Sequence, residues 1–327
     1  MAISYSIAIR TLGTAGDKFR RELETIARQS VQPQRVIAYI AQGYKRPEFQ
    51  IGNEEYVYVR KGMVAQRALQ YDEIDSDCIL MLDDDVLLAP DSAERMIEAL
   101  QDNGADCVGA DIFQNHKMPL RTKISAALTN LVFPHCDKKW AFKQHRNGSF
   151  SYQSKPAGGF CPSHTCGGPA MLWRKDAFLR MSMQDELWLD ALGFAYGDDA
   201  LESYKLHANG GRLGVLYGSG ITNLDAGTSS GSYKRSPERF RIRTKAMYMT
   251  WYRSLYRNGV DNAWSRSLAA AAFGLKMAWI FTGLCLAAPF IKTKGNVHAF
   301  IKGLSEGRKA VHSEPFRSLP PYVLNAK

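Results

Sequence analysis

Residues 78–91 read CILMLDDDVLLAPD, an apolar run that drives into three consecutive aspartates and then resumes. The run suits a core strand, and burying carboxylates beside one is costly unless positive charge meets them. Side chains alternate faces along a strand, so Asp83 and Asp85 are expected to converge on one side while Asp84 faces the other. Such a pair makes a poor cage by itself. It makes a good site for a hard divalent cation whose remaining ligands are phosphate oxygens and water. The plainer alternative is a solvated turn, where aspartate is common.

The surrounding sequence sets the fold class. SYSIAIRT (4–11), RVIAYIA (35–41) and EEYVYVR (54–60) read as strands. Phe19, Leu23, Ile26 and Ala27 share one helical face. GMVAQRALQY (62–71) suits a helix, and DSAERMIEAL (91–100) suits another, with Asp91 as N-cap and Glu94 closing a capping box. Strands alternating with helices predict a mostly parallel α/β sheet, whose ligands gather at the carboxyl ends of the strands. The aspartates sit at such an end. From about 113 to 165 the rhythm is lost, as in a substrate-facing excursion. It returns with GGPAMLWRKDAF (167–178) and with a turn, helix and strand in YGDDALESYKLHANGGRLGVL (196–216).

The net charge of +10 is concentrated late in the chain. From Arg253 onward there are eleven Lys or Arg against three acids, interleaved with the apolar stretch SLAAAAFGLKMAWIFTGLCLAAPFI (267–291). Its uninterrupted part after Lys276 falls short of the roughly 20 residues that span a bilayer, and Pro289 cuts it. We therefore expect residues 1–258 to form a catalytic domain. Residues 259–327 are expected to form a helical segment lying on a membrane surface, with a buried packing helix as the alternative. A solvated nucleic-acid-binding face would not need that apolar stretch, so no nucleic-acid partner is expected. The N-terminus lacks the pattern of a secretory signal, and the six cysteines lack the density of a disulfide scaffold. Both point to a cytoplasmic protein at the cytoplasmic face of a membrane. CPSHTC (161–166), with His135 and Cys136 upstream, matches no strong zinc pattern and reads as a loop with buried thiols.

SIAIRT, GMVAQRAL, ILMLDDDVLLAPDSAERMIEAL, GGPAMLWRKDAF and YGDDALESYKLHANGG occur in the order seen in family 2 glycosyltransferases, and residues 4 to 250 resemble a GT-A fold enzyme of that family. The resemblance implies an inverting transfer of a sugar from a nucleotide-sugar to an acceptor hydroxyl. Asp83-Asp84-Asp85 matches its DxD motif. Asp85, helped by Asp83, would bind Mn2+ or Mg2+ at the donor diphosphate, and Asp83 and Asp84 would meet the donor. Thr11 and Arg67 match nucleotide-contacting positions, and Gly167 and Gly168 match the segment lining the donor sugar. Asp199, with Asp198 as alternative or helper, matches the catalytic base. The donor is expected to carry UDP in preference to GDP. A lipid-linked or saccharide acceptor is expected, as in surface polysaccharide or glycolipid assembly.

The chain departs from the family pattern at four places. Arg10-Thr11 stands for a Pro-Thr pair, and Ala41-Gln42 for the acidic residue that reads the base, leaving Gln42 as the recognition residue at hand. Ala68 replaces an asparagine, and Asn223 a histidine. Two rival readings fit parts of the sequence. A nucleotidyltransferase acting on a sugar phosphate would use a Gly-rich loop, which RTLGTAGDKFRR faintly resembles. A non-catalytic binding protein of the same fold would keep the sheet without the chemistry.

Overall fold

The computed structural model describes residues 3–112, 120–132, 139–153, 159–192, 197–224, 236–260, 262–288 and 294–324. The apolar run forms β4 (Cys78–Asp83) beside β1 (Tyr5–Thr11), which also pairs with β2 (Val36–Ala41), itself paired with β3 (Glu55–Val59), all parallel. α1 (Asp17–Ile26) crosses between β1 and β2. After β4 the chain forms β5 (Val86–Leu88), α2 (Ser92–Asp102), β6 (Cys107–Ala110), α3 (Leu120–Asn130), the hairpin β7 (Phe142–Gln144) and β8 (Phe150–Tyr152), and β9 (Gly159–Pro162). β10 (Ala170–Arg174), α4 (Lys175–Arg180), α5 (Asp198–Ala208), β11 (Leu213–Tyr217) and β12 (Ile221–Asn223) complete the α/β part. The eight-stranded sheet runs β3-β2-β1-β4-β10-β6-β11-β9, with only β10 and β9 reversed.

Alternation along β4 puts Ile79 and Met81 on one face and Leu80 and Leu82 on the other, and both faces are covered. α1 and α2 cover one layer with Phe19, Leu23, Met96 and Leu100. The opposite layer packs Met171 and Trp173 against Phe178, Leu189, Leu201 and the C-terminal helices.

Two expected helical features are corrected by the structure. Residues 62–71 form turns. Asp190 accepts from the amides of Val64 and Ala65 at 2.9 and 3.0 Å, and the Gln66 side chain donates to the carbonyls of Thr11 and Tyr39. Two helix-like backbone bonds form, Gln66 N–H to Gly62 O and Ala68 N–H to Val64 O, but the segment does not continue as a regular helix. α2 does begin after Asp91, but the capping box is absent: Asp91 pairs with Arg95, and Glu94 accepts from the Ser30 hydroxyl.

Beyond the sheet come α6 (Pro237–Trp251), a π-helical turn at Tyr252–Tyr256, α7 (Ala263–Ala287), α8 (Lys294–Val311) and α9 (Glu314–Arg317). α8 lies against α6 at glycines, because a Cβ at Gly303 would come within 2.4 Å of the Arg241 carbonyl oxygen. α7 is one helix of 25 residues, longer than the segment after Lys276, and Lys276 is itself buried. Pro289 and Lys292 lie outside the described residues. The expected division after residue 258 falls in a loop, and the chain beyond it folds back. Val323 N–H donates to Asn258 O at 2.6 Å, Leu324 N–H to Asn209 Oδ1 at 2.7 Å, and the Tyr322 hydroxyl to Leu201 O.

Glu186 fastens this return. Fully buried, it accepts from Arg253 at 2.8 and 3.1 Å, from Lys205 at 3.1 Å and from the Trp188 indole at 2.8 Å. Burial works to raise its pKa, but the Arg253 bonds and the Lys205 charge hold it below the usual glutamate range. The stability it contributes is therefore present above the unfolded carboxylate range and is lost as pH falls through it. Glu186→Gln should cost about 3–5 kcal/mol near neutral pH in urea unfolding, with the deficit shrinking toward acid.

Candidate active site

β4 ends at Asp83, and residues 84 and 85 turn into β5, so the strand alternation does not continue through the triplet. The three carboxylates take three different partners. Asp83 lies between two guanidiniums: Arg10 Nε at 2.6 Å and Nη2 at 3.3 Å, and Arg67 Nη2 at 2.8 Å. Asp84 accepts from the Thr11 hydroxyl at 2.5 Å. Asp85 accepts from the Asn223 amide at 3.3 Å, because β12 pairs antiparallel with β5 and sets Asn223 opposite Val86. Burial works to raise Asp83, yet Arg10 and then Arg67 hold it below the usual aspartate range. Burial pushes Asp84 up, against the pull of the Thr11 hydroxyl.

The second acidic pair meets the first through Arg10. Asp198 and Asp199 open α5 after Gly197, whose φ of 76° turns the chain into the helix. Arg10 Nη1 reaches Asp198 Oδ2 at 3.1 Å and donates to the Met63 carbonyl at 3.0 Å. One side chain thus bridges Asp83 and Asp198. Asp199 is held differently. Its Oδ2 accepts from Gly168 N–H at 2.7 Å and its Oδ1 from Ala200 N–H at 2.9 Å. A Cβ at Gly168 would lie 2.8 Å from the Asp199 Cβ, so only glycine permits this approach. Arg67 donates to the Gly168 carbonyl from below, and Gly167 is buried beside it.

Burial, with the neighbouring Asp198 charge second, pushes Asp199 up to about 6, against the pull of Gly168 and Arg67. One turn further along α5, Glu202 is fully buried and, among the described residues, neither carboxyl oxygen has a hydrogen-bond partner. Burial pushes it up to about 8, opposed by Arg67 and favoured by Asp198. It is held protonated at neutral pH. Nε and Nη1 of Arg67 are also buried without partners. The Arg67 guanidinium therefore forms the floor of the site and offers no open face on which a base could stack.

Of the donor residues expected from sequence, Thr11 is buried against Asp84 and its hydroxyl also accepts from Gly13 N–H at 2.7 Å. Gln42 is exposed just past β2. Arg10 and Glu202 were not anticipated. A charged residue inside the otherwise apolar β1 was the signal for Arg10, and a glutamate four residues after Asp198, on the same helical face, was the signal for Glu202. Cys161 and Cys166 are buried free thiols, and His135 and Cys136 lie outside the described residues.

Residues 55–178, from β3 through most of α4, match the model for glycosyl transferase family 2. This stretch belongs to glycosyl transferase family 2. It contains Arg67, Asp83, Asp84, Asp85, Gly167 and Gly168, while Arg10, Asp198 and Asp199 lie outside it. A comparison with curated proteins returned no match. Among solved structures the chain is similar to S. aureus TarS 1-349, with a TM-score of 0.54 and 11% identity over 95% of this chain and 81% of that one. It is also similar to TarS 1-349 in complex with UDP-GlcNAc, at TM-score 0.49 and 13% identity over 94% and 82%. A third is the mannosyltransferase PcManGT from Pyrobaculum calidifontis in complex with GDP-Man and Mn2+, at TM-score 0.46 and 14% identity over 94% and 88%. The likeness to TarS 1-349 at the higher score is one of fold, the mixed α/β sheet of the GT-A architecture.

Within this segment Asp83 is bonded to two arginines, Asp84 to a hydroxyl and Asp85 to an amide. Asp83 has both oxygens engaged by arginines, so of the expected Asp83–Asp85 pair it is the carboxylate already met by the protein's own cations. Among the described residues no three His, Cys, Asp or Glu side chains form a cage. Asp85, beside an amide, supplies a single carboxylate, a donor set that serves when phosphate oxygens and water complete the shell.

Glu202 generates a stability prediction. Its folded pKa lies above the ordinary value, so the stability it contributes is complete below the ordinary glutamate range and is lost as pH rises through about 8. Glu202→Gln should therefore lose less stability than wild type between about pH 5 and pH 9, with a thermal midpoint a few degrees higher at the alkaline end. Parallel melting curves across that range check it.

Proposed function

We propose that this protein is an inverting, metal-dependent glycosyltransferase that moves a sugar from a nucleotide-diphosphate sugar to an acceptor hydroxyl, with Asp199 as the base. The observation that carries the reading is the division of labour within the pair opening α5: Arg10 holds Asp198, while Asp199 is left with a pKa pushed up to about 6. A base poised near the operating pH is what proton removal from a hydroxyl requires. The helix N-terminus and the Gly168 amide fix the orientation of that carboxylate, and Gly168 belongs to the family-matched segment assigned to the donor sugar. Base and donor wall are thereby held at one hydrogen bond's distance.

Asp85 is the carboxylate we assign to Mn2+ or Mg2+, with Asn223 supporting it. The cation, when bound, would neutralise charge developing on the leaving diphosphate. Asp83 and Asp84 order Arg10, Arg67 and Thr11 around the donor, and Gln42 is the exposed side chain available to the base of the nucleotide. We propose UDP ahead of GDP as that nucleotide. Beside Asp199, a small cavity lined by Gly197, Ala200, Tyr204, Phe150 and Trp251 is the place for the acceptor.

α7 supports a peripheral location on the cytoplasmic face of a membrane. It is 25 residues long, and its most apolar 18-residue window has a mean hydropathy of 1.6, with 22% of that window buried. Ala269, Phe273, Lys276 and Met277 pack one face lengthwise against the protein, so the helix lies along the domain and presents its other face outward. A lipid-linked acceptor, as in surface polysaccharide or glycolipid assembly, suits that placement.

Donor turnover tests the chemistry. With wild type, Mn2+- or Mg2+-dependent turnover of UDP-sugars should exceed that of GDP-sugars, and kcat/KM should rise with pH and level off above about 6. Asp199→Asn should lower kcat by roughly 10²–10⁴-fold with donor binding retained, and Asp85→Ala should abolish the metal dependence. Full activity in Asp199→Asn would overturn the assignment of the base.

A further inference from the structure

We propose that α3 joins α7 to form a single lipid-facing platform, so that the membrane contact is made by two helices from different parts of the chain. The inference rests on the peripheral membrane reading above and adds to it a second surface.

α3 carries Leu120, Ile124 and Leu128 at i, i+4 and i+8, and all three are exposed, Leu120 to 72%. Ala127, at the edge of this stripe, is the buried residue of α3, and α3 lies against α7. α7 exposes Trp264, Leu275, Trp279, Phe281 and Leu286, the first to 72%. Two separate runs of large apolar side chains thus stand on adjoining helices.

What fixes the two faces relative to each other is Asn147. Its side-chain amide donates to the Asn130 carbonyl at the end of α3, and its own carbonyl accepts from Lys276 Nζ on α7 at 3.3 Å. The lysine within the apolar run of α7 is therefore turned inward, while Arg266, in the first turn of the helix, is half-buried. Ser149 adds a bond to Asn130 Oδ1 at 3.1 Å. Phe273 of α7 stacks on Trp251 with ring centroids 4.1 Å apart. The next residue, Gly148, and Trp251 both line the cavity beside Asp199.

The occupant to which this surface commits is a bilayer with anionic lipid. Arg121 and Lys123 are exposed beside the α3 stripe, and Lys302, Arg308 and Lys309 are exposed on α8, which packs against α7. Cations around an apolar face match anionic headgroups around an acyl interior. The placement would bring a lipid-linked acceptor to the mouth of the cavity from the same side.

Flotation of the full chain with phosphatidylcholine vesicles, with and without phosphatidylglycerol, tests this. Wild type should float, more strongly with phosphatidylglycerol. Leu120→Gln/Ile124→Gln/Leu128→Gln should lower the vesicle-bound fraction by about tenfold, with thermal midpoint and turnover of soluble donor unchanged. Trp264→Gln/Leu275→Gln/Trp279→Gln is the companion variant. If it releases the protein while the α3 variant still floats like wild type, the two-helix platform is overturned and the α7 contact stands. If wild type floats with neither vesicle, both are overturned. If the α3 variant changes only the molar mass in light scattering, the stripe is a self-association surface and the proposal fails.

Discussion

The guanidinium of Arg10 holds together two carboxylates that lie more than a hundred residues apart in sequence, Asp83 at the end of β4 and Asp198 at the start of α5. Two buried aspartates without a cation between them would repel and would each carry a large desolvation cost. With Arg10 between them and Arg67 beneath Asp83, positive charge already present meets both carboxylates and holds Asp83 below the usual aspartate range. The same arrangement differentiates the neighbours. Asp199 is pushed up by burial and then by its neighbour Asp198, and Glu202, deeper in the protein, is the place where ionisation is given up. The site is a graded row of carboxyl groups, from firmly charged to neutral, ordered around two arginines.

Much of this architecture was readable before any coordinates. The uninterrupted apolar stretch ending in aspartates did become a central strand, because residues such as Ile79 and Leu80 can be buried on both faces of a sheet only if helices cover each. The start of α5 at Asp198 and its end near Gly210 followed from local rules of capping and left-handed glycine. Where local rules failed, a distant partner had intervened. Residues 62–71 have the composition of a helix, but the Asp190 carboxylate and the Gln66 bonds redirect their backbone. Asp91 and Glu94 have the spacing of a capping box, but Arg95 and Ser30 claim them.

The candidate site divides along the same line. Residue types at Asp83, Asp85, Asp198 and Asp199 were legible as candidates because two acidic groups, one at a strand end and one at a helix start, fall in the order the family pattern gives. Their pairing was not. That Asp83 is taken by two arginines, that Asp85 faces Asn223, and that Gly168 touches Asp199 all depend on strand order. β10 enters the sheet antiparallel beside β4, which no local pattern encodes, and that reversal carries the Gly167–Gly168 turn to the ends of β4 and α5.

The π-helical turn at Tyr252–Tyr256 has a mechanical meaning. Trp251, Tyr252, Arg253 and Ser254 are four consecutive buried residues, and they serve different neighbours: Trp251 stacks on α7, Tyr252 meets Phe316 near the C-terminal tail, and Arg253 grips Glu186. A regular helix buries one stripe; a segment engaged on every side acts as an axle keyed in its bearing. The helices after it cannot swivel against the sheet without breaking an aromatic stack, an ion pair and a packed tail together. Any surface on which α7 rests therefore meets the mouth of the cleft at one angle and one height, and reach toward an acceptor becomes a matter of rigid geometry.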